Sequence, residues 1–71
     1  MTVKHVNAIK DDAVGNTFDK IDLKLKQEGY CDIDISKSEL GYEVTYYRQH
    51  GGIFTVMFDW EDVCQAIYYR Y

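Results

Sequence analysis

"FDWEDVCQAIYYRY", residues 58–71, ends the sequence, and its reading as helix or strand decides the fold. The spacing predicts a helix. Asp59 is a good N-cap, Asp62 stands three positions on like the partner in a capping box, and Phe58 with Val63 makes a hydrophobic staple. Trp60, Val63, Cys64, Ile67 and Tyr71 recur at helical spacing and form the buried stripe. Tyr69 and Arg70 fall off that stripe and are expected in solvent.

The preceding stretch, "EVTYYRQHGGIFTVMF" at residues 43–58, reads as two strands and a turn. Tyr42, Val44 and Tyr46 alternate inward on one strand, as do Phe54, Val56 and Phe58 on the other. Directly opposed residues of an antiparallel pair share a face, so the residue numbers of each pair must sum to an even number. A three-residue loop, His50-Gly51-Gly52, satisfies this, with Gln49 opposite Ile53 and Gly52 in the left-handed region. Before it, "YCDIDIS" at residues 30–36 reads as a third strand, with Cys31, Ile33 and Ile35 inward and Asp32, Asp34 and Ser36 outward. A four-residue loop from Lys37 to Leu40 then sets Ser36 opposite Gly41.

"NTFDKIDLKLKQEG", residues 16–29, reads as a helix capped by Asn16 and closed by Gly29, with Phe18, Ile21 and Leu25 buried. Strand-like alternation of Ile21, Leu23 and Leu25 with Asp22, Lys24 and Lys26 competes with that reading, but the cap chemistry favours the helix. Residues 1–15 admit either a short edge strand, from the alternation of Val3, His5, Asn7 and Ile9, or the start of a helix, before the breaker Gly15-Asn16. The expected fold is therefore one α+β domain. A three-stranded antiparallel sheet carries two helices on one face in the order (β)-α-β-β-β-α, the bracket marking the optional N-terminal edge strand.

Seventy-one residues make one domain that buries only ~60% of its unfolded surface. No apolar run suits a membrane and no signal peptide is evident, so a cytoplasmic protein with free thiols is expected, Cys31 and Cys64 both being buried. Residues 1–28 balance five lysines against five acids, whereas residues 29–71 hold three basic and seven acidic residues and carry the whole net charge of −4. This acidity disfavours direct nucleic-acid binding and suits a partner protein with a basic surface.

With these registers Asp34, Glu43 and Asp59 share one row of the outer sheet face, followed by a row of Asp32, Thr45 and Met57, with Tyr47 beyond. The candidate partner-binding residues are Asp32, Asp34, Glu43, Tyr47, Met57, Asp59, Glu61 and Asp62: carboxylates for cations, and Tyr and Met for interface burial. The carboxylates lack calcium-loop spacing, and His5 and His50 lack zinc-like partners. No nucleophile–base pair or phosphate-cradling glycine loop is evident, so neither an enzyme nor a cofactor is expected. Lys20, Lys24 and Lys26 on the first helix give an alternative, a nucleic-acid-associated module. A homodimer is left open.

The order helix–strand–strand–strand–helix resembles the double-stranded-RNA-binding domain, a family that holds phosphates with a basic cluster opening its second helix. The matching positions here are Asp59, Trp60, Glu61 and Asp62, so the charge is reversed and RNA binding does not follow. The small size, with Asp32, Asp34, Glu43, Asp59, Glu61 and Asp62 grouped around one end of the sheet, is similar to the anti-CRISPR proteins among phage inhibitors of host defence. That resemblance implies an acidic plug for a basic nucleic-acid channel.

Overall fold

The computed structural model describes residues 3–71, and side chains from residue 6 onward. Two helices come first, α1 (Val3–Ala13) and α2 (Phe18–Gln27). Four strands follow: β1 (Cys31–Lys37), β2 (Gly41–Arg48), β3 (Gly52–Asp59) and β4 (Cys64–Arg70). They form an antiparallel meander in the spatial order β1-β2-β3-β4. The expected (β)-α-β-β-β-α order is thus corrected to α-α-β-β-β-β.

The first correction is at the N-terminus, where a helix replaces the optional edge strand. Val6, Ile9 and Ala13 are buried at i, i+3 and i+7, while Asn7, Ala8, Asp11 and Asp12 are exposed. The alternation expected at Val3 and His5 concerns side chains that lie outside the described residues. α2 forms as expected, burying Ile21 and Leu25 and packing Phe18 against the core. Its N-cap is Thr17 rather than Asn16, without a side-chain capping bond. Its C-terminus closes in a Schellman motif, Tyr30 N–H to Leu25 O at 2.9 Å and Gly29 N–H to Lys26 O at 3.0 Å.

The second correction is at the C-terminus, where β4 replaces the expected helix. Residues 60–63 are a loop, and Asp59 does not cap a helix. Cys64 and Ile67 are both buried, three apart, because a bulge between the Phe58–Cys64 and Met57–Ala66 pairs inserts Gln65. One extra residue in a period-two strand reproduces the i, i+3 spacing of a helix. The aromatic run Tyr68-Tyr69-Arg70-Tyr71 suits a pleated, half-buried surface.

The middle hairpin keeps its expected facing, but its register moves by two. Arg48 pairs with Gly52 and Tyr47 with Ile53, leaving the loop Gln49-His50-Gly51. Gly52 has φ 82°, as expected, and His50 also enters the left-handed region at φ 62°. In β1, Ile35 pairs with Val44 and Ser36 with Glu43, so the expected Ser36–Gly41 pairing is also displaced by two. A bulge at Ile33 then reverses the facing of the strand's first residues: Asp32 pairs with inward Tyr46, and Cys31 with outward Tyr47. Cys31 is consequently exposed, whereas Cys64 is buried as expected.

The core lies between the helices and the inner face of β2, β3 and β4. Leu25, Tyr46 and Phe54 are fully buried there, each contributing about 1.5–3 kcal/mol relative to exposure. Phe18 and Tyr42 join it by edge and stacked contacts to Phe58, at 5.3 and 5.2 Å between centroids. A short bridge between Thr17 and Val63, with Cys64 N–H bonded to Asn16 O at 2.8 Å, seals the α1–α2 connection against the start of β4. β1 reaches beyond this cover, and all seven of its residues are exposed.

Candidate functional site

The helices occupy one face of the sheet, and the opposite face is uncovered. Its rows follow from the pairing: Ser36, Glu43, Met57 and Ala66; then Asp34, Thr45, Thr55 and Tyr68; then Cys31, Tyr47, Ile53 and Arg70. The expected row of Asp34, Glu43 and Asp59 therefore does not form. Glu43 lies between Ser36 and Met57, and Asp34 lies beside Thr45. The two-residue shift separates like charges that would otherwise repel across the ladder. Asp32 leaves the outer face altogether: it lies on the helix side, 3.4 Å from Lys26 Nζ. Tyr47 and Met57 are on the outer face as expected, partly exposed.

The acidic residues gather instead at the sheet end formed by the β1–β2 and β3–β4 loops. The β3–β4 loop is built by Asp59. Its Oδ1 accepts the N–H groups of Glu61 and Val63 at 2.9 and 3.0 Å, and its Oδ2 accepts Gln65 Nε2 at 2.9 Å. Asp62 N–H bonds back to Asp59 O at 3.0 Å, which turns the chain and leaves Asp62 at φ 65°. The side chain of Asp62 accepts the Tyr42 hydroxyl at 2.6 Å. Burial, and then that bond to a carboxylate, push the Tyr42 hydroxyl well above the ordinary tyrosine range.

Between these acids stands Trp60. Its indole is 54% exposed, rests 5.9 Å from the Tyr42 ring, and donates to Glu39 O at 3.0 Å. Trp60 is thus outside the buried stripe in which the sequence reading set it. Leu40, on the loop it meets, is 87% exposed. A groove of about 480 Å³ runs from this end onto the outer face, lined by Leu40, Glu43, Met57, Asp59 and Gln65 among others. Five acidic residues, Glu39, Glu43, Asp59, Glu61 and Asp62, therefore share this end of the sheet with exposed Trp60 and Leu40. Glu39 and Leu40 were missed by the sequence reading because they were assigned only to a turn. An exposed apolar residue in a short loop beside an acid is the signal they carry.

Two of the three lysines of α2, Lys24 and Lys26, are engaged locally. Lys26 pairs with Asp22 at 3.0 Å as well as with Asp32, and Lys24 lies 3.6 Å from Glu28. Among the described residues, no group of three His, Cys, Asp or Glu side chains is placed to hold a metal ion, and no helix is long and apolar enough to cross a membrane. Comparison with known protein families, with characterised proteins and with solved structures finds no match.

Proposed function

We propose that this chain is a small non-enzymatic protein-interaction module that binds a basic partner through its acidic loop end. The observation that carries the reading is the set of five acidic residues at the sheet end that exposes Trp60 and Leu40. An exposed tryptophan ringed by charge has the chemistry of an interface anchor: the ring supplies desolvated contact, and the carboxylates supply orientation and attraction. Taken with the resemblance to anti-CRISPR proteins, the partner is a nucleic-acid-binding protein whose basic surface this end blocks. The groove beside Glu43 and Met57 receives a cationic side chain of that partner, with its aliphatic stem on Met57.

The alternative, nucleic-acid association through the lysines of α2, is weakened by the pairing of Lys24 and Lys26 with acids. Capture from a lysate of the source cells tests the proposal, comparing wild type with a Glu39→Lys/Glu61→Lys double variant and with Lys20→Ala/Lys24→Ala. The side chains of Glu39 and Glu61 are exposed, so the fold tolerates the reversal. The expected result is a basic protein retained by wild type and the lysine variant, released by salt or heparin, and lost with the acidic reversal. Retention indifferent to that reversal, or tight binding of DNA or RNA by the isolated chain, overturns the proposal.

A further inference from the structure

We infer that β1 is a dimerisation edge, and that its occupant is β1 of a second copy of this chain, antiparallel and centred on Ile35. β1 is the last strand of the sheet, and among the described residues no strand pairs its outer edge. Ile33 and Ile35 are 58% and 55% exposed along it. The backbone polarity of the edge follows from the hairpin. Ser38 N–H bonds Gly41 O at 2.8 Å, so Ser38 directs its polar backbone toward β2. Alternation along an antiparallel ladder then turns the N–H and C=O of Ile35 and Lys37 outward, to the free edge.

The charge pattern selects one register. In a continuous sheet, inner residues must oppose inner residues, so the two-fold axis passes through a residue of β1 rather than between two. An axis at Asp34 opposes two carboxylates. An axis at Ser36 sets Ile35 against a lysine and brings no lysine of the second copy to Asp32, whose partner is then Lys26 of its own chain alone. An axis at Ile35 sets isoleucine on isoleucine, with two reciprocal main-chain bonds, and Asp34 opposite Ser36 of the second copy.

The bulge at Ile33 completes this match. It removes one position from the ladder, so Asp32 follows Asp34 directly and faces the helix side. Lys37 faces the same side, paired with inward Tyr42, and makes no ion pair among the described residues. In the register centred on Ile35, Asp32 therefore meets Lys37 of the second copy, and the symmetry makes that ion pair twice. A bulge and an inward carboxylate ordinarily guard an edge against foreign strands. A second copy of this chain adds Lys37 to the Lys26 that Asp32 already meets, a second cation that a foreign strand lacks. The groove of the acidic loop end shares Ser36 with this edge, but that end is tested through Glu39 and Glu61 and this edge through Asp32, Ile35 and Lys37, so failure of one is distinguishable from failure of the other.

Sedimentation equilibrium of the full chain, over a series reaching millimolar concentration as a small interface requires, reads the association directly. Wild type is expected to show a concentration-dependent dimer. Lys37→Asp sets two acidic pairs in place of two ion pairs and weakens association by about ten-fold or more. Asp32→Lys combined with Lys37→Asp restores it, a rescue that no nonspecific contact gives. Ile35→Pro removes the outward N–H without touching the bonds to β2, so the variant stays folded by circular dichroism and is monomeric. A monomer throughout the wild-type series overturns the inference, as does a dimer indifferent to Lys37→Asp and Ile35→Pro.

Discussion

The indole N–H of Trp60 donates to the carbonyl oxygen of Glu39 at 3.0 Å, fastening the β3–β4 loop to the β1–β2 loop. These loops are not neighbours in sequence, and the bond makes them one surface. The same side chain leaves half its area in solvent, where a partner can reach it.

Trp60→Ala is expected to cost about 1–2 kcal/mol, the sum of one hydrogen bond and partial burial. A fully buried tryptophan would cost about 3–5 kcal/mol. Trp60→Phe keeps the ring against Tyr42 and loses only the N–H, so its cost is the smaller of the two. Urea denaturation of both variants measures the difference, and a cost near the buried value for Trp60→Ala would refute the exposed placement.

Asp59→Ala removes an acceptor of three bonds that shape the β3–β4 loop, and about 1–3 kcal/mol of stability should go with it. Asp59→Asn retains an oxygen for the Glu61 and Val63 N–H groups and should cost less. Because Asp59 ends a strand, neither variant should reduce the helical signal in circular dichroism. A loss of helix on Asp59→Ala would restore the role of helix cap to this residue.

What was legible in the sequence was the alternation of Tyr42, Val44, Tyr46, Phe54, Val56 and Phe58. A hydrophobic face of period two survives a register shift of two, so these residues are correctly inward although the loop moved. α2 was legible because Phe18, Ile21 and Leu25 agree with its Schellman closure. β4 was misread for two identifiable reasons. The Gln65 bulge gives Cys64 and Ile67 helical spacing, and the Asp59–Asp62 turn uses the residue types of a capping box. The acidic row failed because register is set by loop geometry, and a displacement of each loop by one residue shifts each register by two. Of the six acids expected around one end, Glu43, Asp59, Glu61 and Asp62 sit near strand ends in either register, whereas Asp32 turns to the helix side and Asp34 lies beside Thr45.

Gly41 should be the least replaceable glycine in the sheet. Its φ is 154°, and a Cβ there would fall 1.9 Å from Phe58 O and 2.8 Å from Asp59 Cα, both backbone atoms. No side-chain motion relieves that overlap, so Gly41→Ala is expected to cost more than about 4 kcal/mol, a large share of the ~4–10 kcal/mol available to a domain this size. At Gly52, φ 82°, an added Cβ meets Tyr69 Oη at 2.6 Å and Arg70 O at 2.8 Å. Part of that contact is a movable ring, so Gly52→Ala should cost less, about 1–3 kcal/mol. Thermal denaturation of the two variants side by side checks the order, and a stable Gly41→Ala would refute the close approach of β2 to the end of β3.

Stability should fall at alkaline pH, and Tyr46 should be a main cause. Its ring is fully buried and its hydroxyl donates to Asp22 Oδ1 at 2.7 Å. Burial first, then that bond to a carboxylate, hold its pKa far above the ordinary value of 10.0. Tyr30 is buried too and is pushed up by that burial, against the opposing charge of Arg48. Since the folded state keeps these protons after the unfolded state has lost them, the stabilisation is complete below about pH 10 and declines above it. Each such tyrosine contributes a slope of up to about 1.4 kcal/mol per pH unit, until pH reaches its folded pKa. The buried Cys64 thiol, also pushed up by burial, begins the decline about a unit earlier. Urea midpoints measured from about pH 8 to about pH 11 should therefore fall progressively, and Tyr46→Phe should remove one tyrosine's share of the slope. Tyr46→Phe also strips Asp22 of a donor, so it should lower the midpoint at neutral pH by an amount worth about 1–2 kcal/mol. The two effects have opposite sign, and the wild-type and variant curves should converge as pH rises. Parallel curves over the whole range would mean that the Tyr46 hydroxyl ionises in the folded protein as readily as in the unfolded chain.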